Sequence, residues 1–283
     1  MQKLWRKLIV TLSASLLTSL VLMPTYSQPA SYQPSFKVLR NVSYVATSDR
    51  VRVGDVFLPV DRKQHRPIII YVHGGGWEGG SKEEDEPIVE NIVDAGFVVF
   101  NINYRLLRQG GEFPGDINDL KDALAFCASN SAAWGADPGR IGAMGTSAGA
   151  HLALMMAYAP DSVIGAPHYR DSRARIGAVV SWFGPTDLDD MHGDLLDRYL
   201  VNAPGGYKKA SPINYVHSAV PTLLVHGTND DLVPYSQSTK LLTALRSAHV
   251  VAEMHTVNGE GHGFTKGFPA AMAKTIHFFS SHL

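Results

Sequence analysis

The chain has 283 residues, is 45% hydrophobic and 18% charged, and carries a formal net charge of −1. This size and balance suit one globular domain of ordinary core size, or at most two small ones. The near-neutral charge removes the electrostatic case for nucleic acid or an anionic membrane surface as partner.

The first residues stand apart. Lys3, Arg6 and Lys7 form a basic start, Leu8 to Met23 is an uncharged and mostly apolar run, and Pro24 breaks it before Thr25 and Ser27. That is the pattern of an export signal, and it is short against the about twenty apolar residues of a membrane-spanning helix. Residues 1–27 are therefore expected to be a cleaved signal peptide, with a secreted or periplasmic mature protein and no stable membrane insertion. Residues 28–40 read as a linker, with Pro29 and Pro34 among Ser and Gln, and residues 41–283 as the folded domain.

Strands are expected at Val42 to Ala46 and Val51 to Leu58, the latter alternating imperfectly as an edge strand does. Ile68-Ile69-Ile70-Tyr71-Val72 is a continuous apolar run, as in a strand buried on both faces. Pro87 to Ala95 reads as a helix, and the acidic run Glu83 to Glu86 before it as a solvated helix start. Phe97 to Asn101 reads as a strand and Asp116 to Ser129 as an amphipathic helix. Cys127, the only cysteine, sits in that helix at core spacing with Leu120, Ala123 and Leu124. It reads as a small core residue, and no intramolecular disulfide is possible.

Arg140 to Met144 is a short apolar strand, and Ala148 to Tyr158 a helix rich in Ala, Leu and Met. Ile176 to Trp182, Thr222 to His226 and Val251 to Val257 complete the strands, with helices at Ser236 to Ala248 and Phe268 to Leu283. Strands and helices alternate through most of the chain, which calls for a mainly parallel central sheet with helices on both faces.

Four loops follow buried strands, and ligands in such sheets bind at the strands' carboxyl ends. His73-Gly74-Gly75-Gly76-Trp77 comes first. Its glycines let backbone N–H groups turn toward one point, as an acyl-transfer enzyme requires for its oxyanion. Gly145-Thr146-Ser147-Ala148-Gly149 is a G-x-S-x-G pentapeptide between strand and helix, the context of a nucleophile elbow, and Ala148 N–H is a further donor. His226 to Pro234 holds adjacent acids, Asp230 and Asp231, either able to orient an imidazole. Gly259-Glu260-Gly261-His262-Gly263 sets a histidine between glycines near the C-terminus, so Ser, Asp and His occur in the order this kind of fold uses. His151, His226, His255 and His277 read as packing or supporting residues. No His-Glu-x-x-His or Cys/His cluster occurs and no G-x-G-x-x-G follows a strand, so neither metal nor cofactor is expected.

Together these segments resemble the α/β-hydrolase superfamily from roughly Val42 onward. They are most similar to its esterase branch with an H-G-G-x-W loop, the feruloyl and acetyl xylan esterase-like proteins related to hormone-sensitive-lipase-like esterases. Asn103-Tyr104-Arg105-Leu106, Phe113-Pro114, Asp119 and Asp137-Pro138-Gly139-Arg140-Ile141 also match that branch. The resemblance implies an α/β-hydrolase fold with Ser147 as nucleophile, His262 as base, and Gly75, Gly76 and Ala148 as oxyanion donors. On the branch's H-G-x-x-D-x-x-V-P pattern the acid is Asp230, not Asp231.

The long helical N-terminal cap of hormone-sensitive-lipase-like members is missing from the pattern, which favours the feruloyl or acetyl group. The implied activity is hydrolysis of small-acyl or feruloyl esters, free or polysaccharide-linked, with Trp77, Trp182 and Phe183 expected to line the acyl or alcohol pocket. Segments 161–175 and 187–210 are the expected substrate covers. An amidase of the kynurenine formamidase kind, a small peptidase, or a non-catalytic binding protein on the same fold are the alternatives.

Overall fold

The computed structural model describes residues 35–46, 49–61, 63–166, 171–203 and 205–283. The expected signal peptide, and the linker up to residue 34, lie outside the described residues.

Eight strands form one sheet in the order β1-β2-β4-β3-β5-β6-β7-β8. They are β1 (Phe36–Ser43), β2 (Val53–Pro59), β3 (Arg66–Val72), β4 (Val98–Ile102), β5 (Ala136–Thr146), β6 (Ile176–Trp182), β7 (Thr222–Gly227) and β8 (Ala252–Val257). β2 runs antiparallel to both β1 and β4, and every pairing from β4 to β8 is parallel. The helices are α1 (Glu86–Asp94), α2 (Gly115–Asn130), α3 (Ala148–Tyr158), α4 (Asp161–Ile164), α5 (Asp194–Tyr199), α6 (Gly206–Lys209), α7 (Ser236–Ser247) and α8 (Phe268–His282).

The period-two geometry of a strand explains the layers. Ile68, Ile70 and Val72 point to the face covered by α2, α3 and α7, where they join Leu120, Leu152 and Leu241. Ile69 and Tyr71 point to the other face and meet Val89 and Ile92 of α1 and Phe278 and Phe279 of α8. A run apolar at every position is what a strand between two helical layers needs. Cys127 lies fully buried in the first of these layers.

Two expectations at the start of the sheet are corrected. β1 begins at Phe36, so residues 36–40 of the expected linker are strand. Phe36 and Val38 pack onto the α1–α8 face, while Lys37, Leu39 and Arg40 are exposed, a pattern too sparse to read as a strand. β2 is not an edge strand. It is flanked on both sides, and six of its seven residues are buried.

A buried ion pair holds the loop that precedes α1. Lys82 is 2% exposed and its Nζ lies 2.9 Å from Oδ2 of the fully buried Asp55 on β2. The neighbouring backbone is tied to β4 and its end, with Lys82 N–H donating to Asn103 and Asn101 donating to the Lys82 carbonyl. Asp55 Oδ2 also accepts from Arg40 at 2.7 Å and Oδ1 from Asn41 N–H, so Lys82→Met leaves the buried carboxylate partly compensated and is expected to cost about 1–3 kcal/mol. Urea unfolding of the two proteins measures this, and a difference within error would contradict it.

Candidate active site

Ser147 lies between β5 and α3 with φ 51° and ψ −121°, a conformation non-glycine residues rarely adopt. Holding it there stores on the order of 1–3 kcal/mol of backbone strain. Gly149 makes the turn feasible, because a Cβ there would sit 2.2 Å from the Val72 carbonyl oxygen of β3. Ser147 N–H donates to the Trp182 carbonyl at 2.9 Å. The hydroxyl is thereby presented above the carboxyl ends of β3, β5 and β6.

Ser147 Oγ is 2.8 Å from His262 Nε2, and His262 Nδ1 is 2.8 Å from Asp230 Oδ2. Nδ1 faces a carboxylate, so the ring proton sits on Nδ1 and the Nε2 lone pair faces the serine hydroxyl. Asp230 Oδ1 accepts the backbone N–H of Leu232 and of Val233. Asp231, the other acid of the pair, is exposed. The histidine and acid loops are joined by Asn229 N–H donating to the Glu260 carbonyl.

His226 backs the acid. Its Nε2 lies 2.9 Å from the Val233 carbonyl and 3.2 Å from Asp230 Oδ2, and Ser238 Oγ–H faces its Nδ1 at 2.7 Å. Both Nε2 neighbours are acceptors, so the proton is on Nε2, and burial keeps the imidazole neutral by lowering its pKa.

The glycine loop is braced from below and behind. Tyr104 stacks on His73 and its hydroxyl donates to the His73 carbonyl at 3.0 Å. Arg105 grips Asp119 of α2 through Nε at 2.9 Å and Nη2 at 2.7 Å. Gly75, at φ +114°, admits no side chain, because a Cβ would meet the Gly79 carbonyl oxygen at 2.1 Å. Gly75 and Gly76 line a cavity of about 530 Å³ together with Ser147, Trp182, Phe183 and His262. Ala148 is buried as the first residue of α3, directly after the serine.

Of the three aromatics expected in the pocket, Trp182 and Phe183 line it and Trp77 does not. Trp77 is 4% exposed, stacks on Tyr199 of α5 with centroids 4.8 Å apart, and donates Nε1–H to His151 Nδ1 at 3.2 Å. His151 Nε2–H in turn donates to the Ala210 carbonyl at 2.8 Å. An indole with a satisfied N–H is stable in a packed interior, and this one joins the glycine loop to segment 187–210.

Trp77 needs the neutral form of His151, and burial lowers that imidazole's pKa from 6.5 to about 4. As pH falls the unfolded chain takes up the proton first. The contribution to stability is complete above pH 6.5 and declines as pH drops toward 4, by on the order of 3 kcal/mol in all. The unfolding free energy of the wild type is expected to fall more steeply through this window than that of His151→Gln. Parallel pH profiles would contradict the assignment.

Sequence patterns did not single out Ile88, Leu232, Phe264 or Phe268, which also line the cavity, nor Asp85. Asp85 belongs to the acidic run expected to be solvated. Its Oδ2 instead accepts the Tyr71 hydroxyl at 2.9 Å and the Thr146 hydroxyl at 3.0 Å. Nothing in the order of acids from Glu83 to Glu86 marks this one as the inward residue.

Comparison with known proteins agrees with this geometry. Residues 54–245 match the BD-FAE family. The chain belongs to the BD-FAE family. Its similar proteins include esterase LipQ of Mycobacterium tuberculosis, 35% identical over 64% of this chain and 46% of LipQ. Isoprenylcysteine alpha-carbonyl methylesterase ICME of Arabidopsis thaliana is 26% identical over 86% of this chain and 61% of its own. This BD-FAE chain spans about half the length of curated relatives such as LipQ and LipM. Among solved structures, a truncated carbohydrate esterase from gut microbiota is 26% identical with a TM-score of 0.77, over 90% of this chain and 99% of that one. Esterase Est2 of Thermogutta terrifontis is 26% identical with a TM-score of 0.73, over 88% and 91%. The fold is that of the α/β-hydrolases.

Proposed function

We propose that this protein is an exported serine carboxylesterase acting through Ser147, His262 and Asp230. The observation that carries the reading is the unbroken hydrogen-bonded line from Ser147 Oγ through His262 to Asp230, 2.8 Å at each step, opening into a cavity beside Gly75 and Gly76. The names of its relatives support ester hydrolysis in particular.

In this reading His262 Nε2 takes the Ser147 proton as Oγ attacks the ester carbonyl carbon. Asp230 stabilises the imidazolium, and the N–H groups of Gly75, Gly76 and Ala148 hold the oxyanion. His262 then gives its proton to the leaving alcohol, and an acyl-Ser147 intermediate remains. Water repeats the sequence with His262 as base, releasing the acid and restoring the hydroxyl.

The cavity volume and its aromatic wall of Trp182, Phe183, Phe264 and Phe268 support small or aromatic acyl groups, including feruloyl and acetyl esters on polysaccharides. Export is supported by the basic start and apolar run of residues 1–27, and N-terminal sequencing of the mature protein tests it. Rates on p-nitrophenyl acetate, butyrate and octanoate and on methyl ferulate, with Ser147→Ala as background, test the activity. Preference for acetate or ferulate is expected. Rates rising toward octanoate would replace the small-acyl reading by a lipase-like one, and none above background would overturn esterase function.

A further inference from the structure

The cavity beside Ser147 is apolar in character apart from the reacting groups, the backbone and Thr146, with one exception, Asp85. A carboxylate is costly to hold against aromatic and aliphatic side chains unless it is hydrogen-bonded. Two buried hydroxyls meet that need at Oδ2, from Tyr71 on β3 and from Thr146, the residue immediately before the nucleophile. Those bonds fix the carboxylate in place but occupy two of its roughly four acceptor sites. Asp85 is thus a rigidly held acceptor with capacity to spare, on the wall of the cavity in which an ester would sit.

The chemistry of the two ends of an ester decides which part faces it. His262 must protonate the leaving oxygen, so the alcohol lies on the His262 side. The acyl substituent is directed away from it, into the cavity that Asp85 and Ile88 help to line.

We propose that Asp85 is a specificity-determining residue that selects acyl groups carrying a hydrogen-bond donor, a hydroxyl or an ammonium, and rejects anionic ones. The inference rests on the esterase reading and deepens it. A donor on the acyl chain meets a charged, half-buried acceptor fixed by its two hydroxyl partners, and a hydrogen bond to a charged group discriminates more than one between neutral groups. An unsubstituted chain gains only apolar contact there, and a carboxylate meets a like charge.

The test compares p-nitrophenyl esters of butyric, 3-hydroxybutyric, 3-aminobutyric and succinic acids on wild type, Asp85→Ala and Asp85→Asn. Wild type is expected to prefer a donor-bearing ester to butyrate and to turn over succinate slowly. The better of the hydroxy and amino esters identifies the donor. In Asp85→Ala the kcat/KM ratio of that ester to butyrate is expected to fall about tenfold or more. Asp85→Asn, isosteric and still able to accept from Tyr71 and Thr146, is expected to raise the succinate-to-butyrate ratio. A merely structural role would lower all four rates together. Ratios unchanged in both variants, with turnover intact, would overturn this inference alone. No wild-type turnover of any ester above the Ser147→Ala level would overturn the esterase reading and the inference with it.

Discussion

Ser147→Ala is expected to lower kcat on p-nitrophenyl butyrate by about 10⁵- to 10⁶-fold, with substrate binding largely kept. In the proposed mechanism the variant removes the atom that forms the acyl-enzyme and leaves the oxyanion donors and the cavity in place. It opens no large void, because it removes a single half-buried oxygen whose one side-chain partner is His262 Nε2. The folded state should persist, with thermal unfolding near that of the wild type. A fluorophosphonate probe gives a second readout. Intact-protein mass should show one adduct on the wild type and none on the variant. An adduct on Ser147→Ala, or kcat within tenfold of wild type, would place the nucleophile elsewhere.

The second large effect is expected from Asp230→Asn, a drop in kcat of about 10⁴-fold. The reason lies in which way the amide must turn. Oδ1 of Asp230 accepts two backbone N–H groups, from Leu232 and Val233, and backbone donors cannot become acceptors. The amide oxygen must take that place, which aims the NH₂ group at His262 Nδ1. The imidazole then has to accept at Nδ1 and carry its proton on Nε2, facing Ser147 with a proton where a lone pair is needed. The new NH₂ group also replaces an acceptor 3.2 Å from His226 Nε2–H, which keeps the Val233 carbonyl as its nearer acceptor, so the loss should appear chiefly in kcat with a smaller cost in stability. Asp231→Asn is the control and is expected to change kcat less than about twofold, as surface substitutions generally do. Equal losses in the two variants would contradict the assignment of the acid.

How far these features are legible in the residues follows from what creates each one. β6 and α3 fall at the residues their patterns mark, Ile176–Trp182 and Ala148–Tyr158, because burial on nearly every side writes itself as a run that is apolar except at Ser181 and His151. The Ser147 loop is legible because a close backbone approach at Gly145 and Gly149 admits only glycine, and the His262 loop because Gly259 and Gly263 take positive φ. β1 is not, since a strand at the sheet's edge with one covered face needs only Phe36 and Val38 to hold it. Trp77 and Asp85 fail for another reason. A tryptophan beside a site reads as a pocket wall and an acid in a charged run as a solvated one, and only long-range partners reverse both readings. Those partners are His151 and Tyr199 for Trp77, and Tyr71 and Thr146 for Asp85.

The link from Trp77 through His151 to the Ala210 carbonyl bears on how this scaffold can be re-engineered. Segment 187–210, expected from the sequence to cover the substrate, contributes no residue to the lining of the cavity beside Ser147. Tyr199 and the Ala210 carbonyl within it are instead fittings that hold the glycine loop at its working position. A transplant chosen for its outer surface alone would unfasten the glycine loop that lines the cavity beside Ser147. A graft that retains an aromatic at 199 and the backbone path at 210 exchanges the outer surface and leaves the hinge pins in place.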